Sequence, residues 1–319
     1  MEEHDSTNYD GNSLKFISFT HRLSGKRISA DGPDGLSMLH YKHFGRRAIS
    51  YLTSIFNLSV QKAELPAIWK MAHINPVPKP GKDPLLASLK RPILFLCPAS
   101  KLLERVALPF FVSSLSQTAS QHGFCQHHST STALLPTASH IAQGFNKRKP
   151  PLLTATNAID IAKAFESVHH SIHLDKAYQT ELHQNLLHWL ATHLRGHQSR
   201  IIWQGAMSTW RIVRRGVPQG SVLGPILFNL YVRDCPVKQP SYADDFTISH
   251  SDKDLKEIER RLQLDIDAVE AWALRKELII ALTKLSITYF TPDRARESKT
   301  HPQVTISGTP IPLDKSPKT

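Results

Sequence analysis

Tyr242-Ala243-Asp244-Asp245 sets two carboxylates side by side. Neighbouring like charges are costly unless a cation sits between them, and a divalent ion bound by hard oxygen ligands suits such a pair. A further acid, Asp160, ends the apolar run in Ala158-Ile159-Asp160-Ile161-Ala162-Lys163-Ala164-Phe165-Glu166, with an aromatic ring five residues on. If they converge, Asp160, Asp244 and Asp245 suffice to hold two Mg²⁺ about 3.5–4 Å apart for in-line phosphoryl transfer. Taken singly, each has a plain structural reading: a paired acid in a turn, or a helix N-cap. The third element is Gly216-Val217-Pro218-Gln219-Gly220-Ser221-Val222-Leu223-Gly224-Pro225. Its glycines let the backbone approach a flat ligand, and the start of the helix behind it favours phosphate.

These residues must be positioned by the elements around them. Helical spacing of Leu39, Phe44, Ala48, Tyr51, Leu52, Ile55 and Phe56 predicts one helix over 37–60. The stretch 69–84, with Pro76, Pro78 and Pro80, reads as a basic loop or edge hairpin. Helices are expected over 99–111, 131–145, 185–195 and 222–231. A strand over 152–161 carries Asp160 at its end, and a helix starts at Lys163. Ile201–Trp203 could pair with Trp210–Val213, and 241–249 should be a hairpin with the two acids at its tip. Ser251-x-x-Asp254 reads as a capping box opening a helix striped by Leu255, Ile258, Leu262, Ile266, Val269 and Trp272, with a short strand at 287–290. Helices first, then mixed strands and helices, argue for an α+β fold.

Composition narrows the partners. The 319 residues are 40% hydrophobic, enough to fill a core, and carry a net charge of +12. Residues 1–150 hold 18 basic and 9 acidic groups against 21 and 18 in the remainder, so the first half faces a polyanion. Lys147-Arg148-Lys149 and Arg214-Arg215 read first as solvated charge and second as phosphate contacts. The longest apolar run is too short for a membrane span, and the first residues lack a secretory signal's pattern. Three scattered cysteines point to a reducing, intracellular setting. His122, Cys125, His127 and His128 lack zinc-site spacing, and His183, His188 and His193, five apart, should lie at a helix surface.

Taken in order, the three blocks resemble the reverse transcriptase of non-LTR (LINE-type) retrotransposons, most of all the jockey group. Gly32-Pro33-Asp34-Gly35-Leu36, Ile68-Trp69-Lys70, Lys79-Pro80-Gly81-Lys82, Arg91-Pro92-Ile93, Lys101-Leu102-Leu103-Glu104-Arg105, Gln121-His122-Gly123-Phe124 and Ser129-Thr130 agree upstream; Lys284 and Thr288-Tyr289-Phe290-Thr291-Pro292 agree downstream. The resemblance spans roughly residues 30 to 319. It implies a right-hand polymerase: a flexible segment over 1–29, fingers over 30–150, a ferredoxin-like palm sheet with packed helices over 151–292, and a tail over 293–319, with the thumb largely or wholly missing. It implies that Asp160, Asp244 and Asp245 are the catalytic, metal-holding carboxylates, taking two Mg²⁺ with Mn²⁺ able to substitute. Phe165 would be the steric gate against a 2′-hydroxyl, and Gln219 and Gly220 would line the nascent base pair. Arg91 would meet template or triphosphate, and Lys284 would give a proton to the leaving pyrophosphate. Partners would be an RNA template, a DNA primer and dNTPs, with no membrane.

Departures from the family pattern raise a competing expectation, an inactive truncated relic that at most binds nucleic acid. The chain ends about where the family's next palm strand and thumb would begin, and no endonuclease domain precedes the fingers. Only ten residues, Pro236 and Pro240 among them, separate Tyr231 from Tyr242, so the hairpin carrying the paired acids should be poorly formed. Cys125 stands where the family commonly has Arg, and Glu166 replaces the usual Asp. Asn157 puts an amide into the strand leading to Asp160, at roughly 1–3 kcal/mol if buried and unpaired.

Overall fold

A computed structural model describes residues 31–81, 83–115, 120–147, 151–237, 239–291 and 301–314. The expectations placed on residues 1–29, Lys82, Arg148, Lys149, Pro292 and, in the tail, on 293–300 and 315–319 lie outside the described residues. In chain order the elements are α1 (Met38–Lys42), α2 (Arg46–Lys62), β1 (Met71–Pro78), β2 (Lys90–Leu96), α3 (Pro98–Ser114), α4 (Thr130–Lys147), β3 (Leu153–Ala162), α5 (Ala164–Ser167), α6 (His170–Tyr178) and α7 (Gln184–Leu194). There follow β4 (Gln198–Trp203), β5 (Ala206–Met207), β6 (Arg211–Ile212), α8 (Gly224–Val232), β7 (Asp245–Asp252), α9 (Leu255–Arg275), β8 (Ile279–Ile280), β9 (Ser286–Phe290), β10 (Thr305–Ile306) and β11 (Thr309–Pro310). The content is mixed α+β, as the order of patterns implied.

The chain divides into two compact units, each assembled from two stretches: residues up to Ser116 with His170–Leu227, and Gln117–His169 with Phe228–Thr319. This differs from the linear boundary expected at residue 150. Strand pairing explains the difference, because β3 finds its partners in β7 and β9, far along the chain.

The first unit is built on a five-stranded sheet in the order β2-β1-β4-β5, with β6 also on β4. The proline-rich stretch read as a loop or edge is therefore a central strand. Sheet geometry tolerates this because β4 pairs only with Met71–Ile74, while Pro76 and Pro78 lie beyond that ladder and Pro76 faces Pro92 of β2. The single helix expected over 37–60 is two, α1 and α2, with Gly45 as the extended N-cap of the second. Trp189 of α7 is fully buried, meets Phe111 of α3 at 6.4 Å and donates to Ser59 Oγ of α2 at 3.2 Å. His193 stacks on that indole at 5.0 Å and is buried, contrary to the surface expectation. The five-residue spacing does carry His183 and His188 outward, but turns His193 in.

The second unit holds a four-stranded antiparallel sheet with β3 between β7 on one side and β8 and β9 on the other. Helix α9 packs on β7 through Ile258, Leu262, Ile266, Val269 and Trp272, all buried. Its N-cap is Asp254, whose side chain accepts from Lys256 N at 3.0 Å. Ser251 is not part of the cap. It lies in β7, where its hydroxyl meets Thr154 and His140. Asn157 is fully buried in β3; its Nδ2 donates to Ser286 O at 3.0 Å, while Oδ1 has no partner among the described residues. Among the described residues no helix is long and apolar enough to cross a membrane.

Candidate active site

The β3–β7 register places Asp160 directly opposite Asp245. Just before β7 the chain reverses in a tight turn, where Tyr242 and Asp245 exchange both backbone hydrogen bonds at 2.9 and 3.0 Å. Ala243 is buried and holds a left-handed φ of 57°, unusual for a residue with a Cβ. The expected hairpin has only its second arm. On the other side Ser241 forms a single parallel bridge with Gln121, so Pro240 is not asked to join a ladder. The first arm is reduced to that bridge, but the turn, expected to be poorly formed, is closed by both of its backbone hydrogen bonds.

Asp160 lies near the end of β3, two residues short of Ala162, and is mostly covered; Lys284 Nζ donates to its Oδ2 at 2.6 Å. Lys284 stands in a 3-10 turn spanning Leu282–Lys284, and Ala281 N fixes the approach to that turn by donating to Asp160 O at 2.9 Å. Burial pushes the Asp244 carboxyl above its ordinary range, and the Asp160 charge adds to this; its own backbone N–H and Lys284 oppose. Asp245 is raised by burial first, then by Asp244 and Asp160. Asp244 and Asp245 therefore resist ionising, in part because each lies close to another carboxylate.

The donor set consists of carboxylate oxygens only, which suits a hard divalent cation, and a cation would relieve the crowding. The ligand set is not closed in advance. Among the described residues no three acidic, His or Cys side chains already surround one position, and Lys284 occupies Asp160.

Phe165 lies on α5, entered through Lys163 at a left-handed φ of 50°. Its ring stacks on Phe228 at 4.9 Å and meets the edge of Phe124 at 5.8 Å, so its orientation is fixed by aromatic packing. The remaining expected residues belong to the first unit. Gly220 has a φ of 107°, and a Cβ there would stand 3.3 Å from Leu94 O of β2, so a side chain would be strained by the backbone and crowded by that carbonyl. Gln219 beside it is half-buried, and Arg91 lies exposed on β2 opposite Val77.

Residues 77–311 match the family model described as reverse transcriptase (RNA-dependent DNA polymerase). The chain belongs to the reverse transcriptase family. Similar relatives include a probable RNA-directed DNA polymerase from transposon X-element of Drosophila melanogaster, 29% identical over 91% of this chain and 32% of its own length. The RNA-directed DNA polymerase from mobile element jockey of Drosophila funebris is 29% identical over 89% of this chain and 32% of its own length. A further probable RNA-directed DNA polymerase, from transposon BS of Drosophila melanogaster, is 30% identical over 76% of this chain and 28% of its length. The chain spans about a third of the length of these relatives. The jockey-type, non-LTR character read from the motifs is borne out.

Within this reverse transcriptase fold, reasoning from residue types missed two buried polar groups. Glu104 of α3 is fully covered; its carboxylate accepts from Ser221 Oγ at 2.5 Å, Val222 N at 2.6 Å and Leu223 N at 3.0 Å, just ahead of α8. Burial pushes its pKa up, and those three donors oppose the shift. A lone acid on the buried stripe of Leu102, Leu103 and Ala107 was the available signal. The second is Gln121, which binds the Ala243 peptide through its side chain. Its partner lies so far along the chain that no local spacing could reveal it. Cys125, in the position noted for a missing Arg, is buried and donates to Gln121 O at 3.0 Å.

Proposed function

We propose that the chain carries out RNA-directed DNA synthesis, adding dNTPs to a primer 3′-hydroxyl on an RNA template. The observation that carries this reading is the register that sets Asp160 against Asp245, with Asp244 in the adjoining turn and Lys284 on Asp160. Asp160 and Asp244 would hold two Mg²⁺ ions, with Mn²⁺ able to substitute and Asp245 the weaker third ligand. When bound, the ions supply activation of the 3′-hydroxyl and charge stabilisation of the leaving pyrophosphate.

The chain's own residues divide the remaining tasks. Phe165, immobilised between Phe228 and Phe124, fills the space a 2′-hydroxyl would need. Gln219 and Gly220 line the nascent base pair, where the missing side chain of Gly220 leaves the backbone open. Arg91 meets template or triphosphate as an exposed guanidinium. Lys284, an ammonium that must leave Asp160 to act, gives its proton to pyrophosphate. In the vocabulary of the family, residues 30–150 supply fingers and 151–292 the palm.

Primer extension by the purified chain on an RNA template, with dNTPs and Mg²⁺ or Mn²⁺, tests this. Extension that is lost in Asp244→Asn supports the reading. Folded protein that binds RNA and does not extend supports the relic instead.

A further inference from the structure

The Ala243 peptide is held on both sides by one side chain. Gln121 is buried, and its Nε2 donates to Ala243 O at 3.0 Å while its Oε1 accepts from Ala243 N at 2.9 Å. The same Oε1 accepts from Gly123 N at 2.7 Å, which fixes the amide's rotation. Of the uncharged side chains only an amide offers a donor and an acceptor at this spacing, so the match to a peptide is chemical as well as steric. Gly123 makes the fit possible: a Cβ on it would stand 2.1 Å from Ala243 N. The segment carrying the amide is itself tied down, with His122 N donating to Ser241 O at 2.8 Å, Ser241 N to Ser120 O at 2.8 Å, and Asn229 Nδ2 of α8 to Gly123 O at 2.9 Å.

These contacts do what the absent first hairpin arm would do. A two-residue turn is ordinarily set by strands on both sides, and this one has a strand only after it. Without the first strand, the paired backbone hydrogen bonds between Tyr242 and Asp245 are all that the local backbone offers to keep Ala243 in a left-handed conformation that its Cβ disfavours.

We propose that Gln121 is a positioning residue for the metal-holding carboxylates: by fixing the Ala243 peptide, it sets the direction in which Asp244 and Asp245 leave the turn. This rests on the reading of those acids given above. Gln121 touches no reacting atom, and its effect passes wholly through the turn.

The test is Mn²⁺ titration of the full chain followed by electron paramagnetic resonance, with circular dichroism as the check on folding. Wild type, Asp244→Asn, Gln121→Leu and the double variant Gln121→Leu/Ala243→Gly are compared. Gln121→Leu should keep its far-ultraviolet spectrum and weaken Mn²⁺ binding about 10–100-fold, the usual scale for losing a group that orients a ligand. Adding Ala243→Gly should bring back most of that loss, because glycine adopts the left-handed φ unaided; a group needed only for folding would not be rescued this way. Gln121→Asn, one methylene too short to reach, replaces Gln121→Leu if the latter does not fold, with the same expectation. Wild-type affinity in folded Gln121→Leu or Gln121→Asn, with Asp244→Asn impaired, overturns the positioning role alone. A wild type that binds Mn²⁺ no better than Asp244→Asn overturns the metal reading and the positioning role together.

Discussion

Two loops of this reverse transcriptase family member are each held by one buried polar side chain, and the side chains differ in charge. The loop ahead of α8 is gathered by the Glu104 carboxylate, the turn ahead of β7 by the Gln121 amide. Each choice follows from what the loop presents. Ahead of α8 there are only donors, two backbone N–H groups and a hydroxyl, at the positive end of a helix, and a carboxylate accepts all three. At the turn the Ala243 peptide presents a donor and an acceptor, and three carboxylates already crowd the neighbourhood. A fourth negative charge there would compete with them, so a neutral group that both gives and accepts is the better fit. Charge is placed where a helix N-terminus stabilises it and withheld where three carboxylates are already concentrated.

The comparison can be broken by substitution, and the largest effect is expected at the acids. Asp244→Asn should lower single-nucleotide insertion by about 10²–10³-fold or more, the scale of removing one electrostatic stabiliser from a reacting centre. Phe165→Ala should cost about 10²-fold in preference for dNTPs over rNTPs, measured as the ratio of insertion efficiencies; unchanged preference would remove Phe165 from the gate. Glu104→Gln keeps the shape and can keep an oxygen on the three donors, which all meet Glu104 Oε2, but removes the charge. Urea unfolding should then show a loss of about 1–3 kcal/mol, and an unchanged midpoint would mean that the loop does not depend on charge.

The two units should also answer pH in opposite senses. In the first, burial holds His173 down to about 3 and His193 and His197 down to about 4. Their unfolded forms take up protons near 6.5, so the unfolded state binds more protons and stability falls as pH drops from about 6.5 toward 4, by on the order of a few kcal/mol. In the second, Asp244 and Asp245 are raised, so their contribution is fully present below the unfolded carboxylate pKa of 3.8 and is lost as pH rises through their folded values. Hydrogen-exchange protection measured at pH 7 and pH 5 separates the units, and the first should lose protection on acidification. RNA binding, read as the slope of log affinity against log salt, should fall steeply through counterion release.

What could be read from the sequence was decided by range. The stripe of α9 and the strand that carries Asp160 repeat at local spacing and were legible. The family motifs named Asp160, Asp244 and Asp245 before any geometry was known. The central place of β1 was not legible, because the prolines that argue for an edge sit past the end of β4's ladder, and only the pairing shows where that ladder stops. What replaces the first arm of the turn escaped for a similar reason. Counting residues between Tyr231 and Tyr242 exposed the missing strand but could not show that Gln121, from a segment far upstream, stands in for it. His193 was misplaced because five-residue spacing disperses side chains without saying which one turns inward.

A site that stores charge repulsion for a cation should be a weak point in the fold until the cation binds. The direct test is to melt and to assay wild type and Asp244→Asn side by side, in EDTA and in Mn²⁺. The account predicts that Asp244→Asn melts higher than wild type in EDTA, gains less than wild type from Mn²⁺, and extends primer at least about 10²-fold more slowly. A variant that melts lower in EDTA, or one that extends at the wild-type rate, would contradict it.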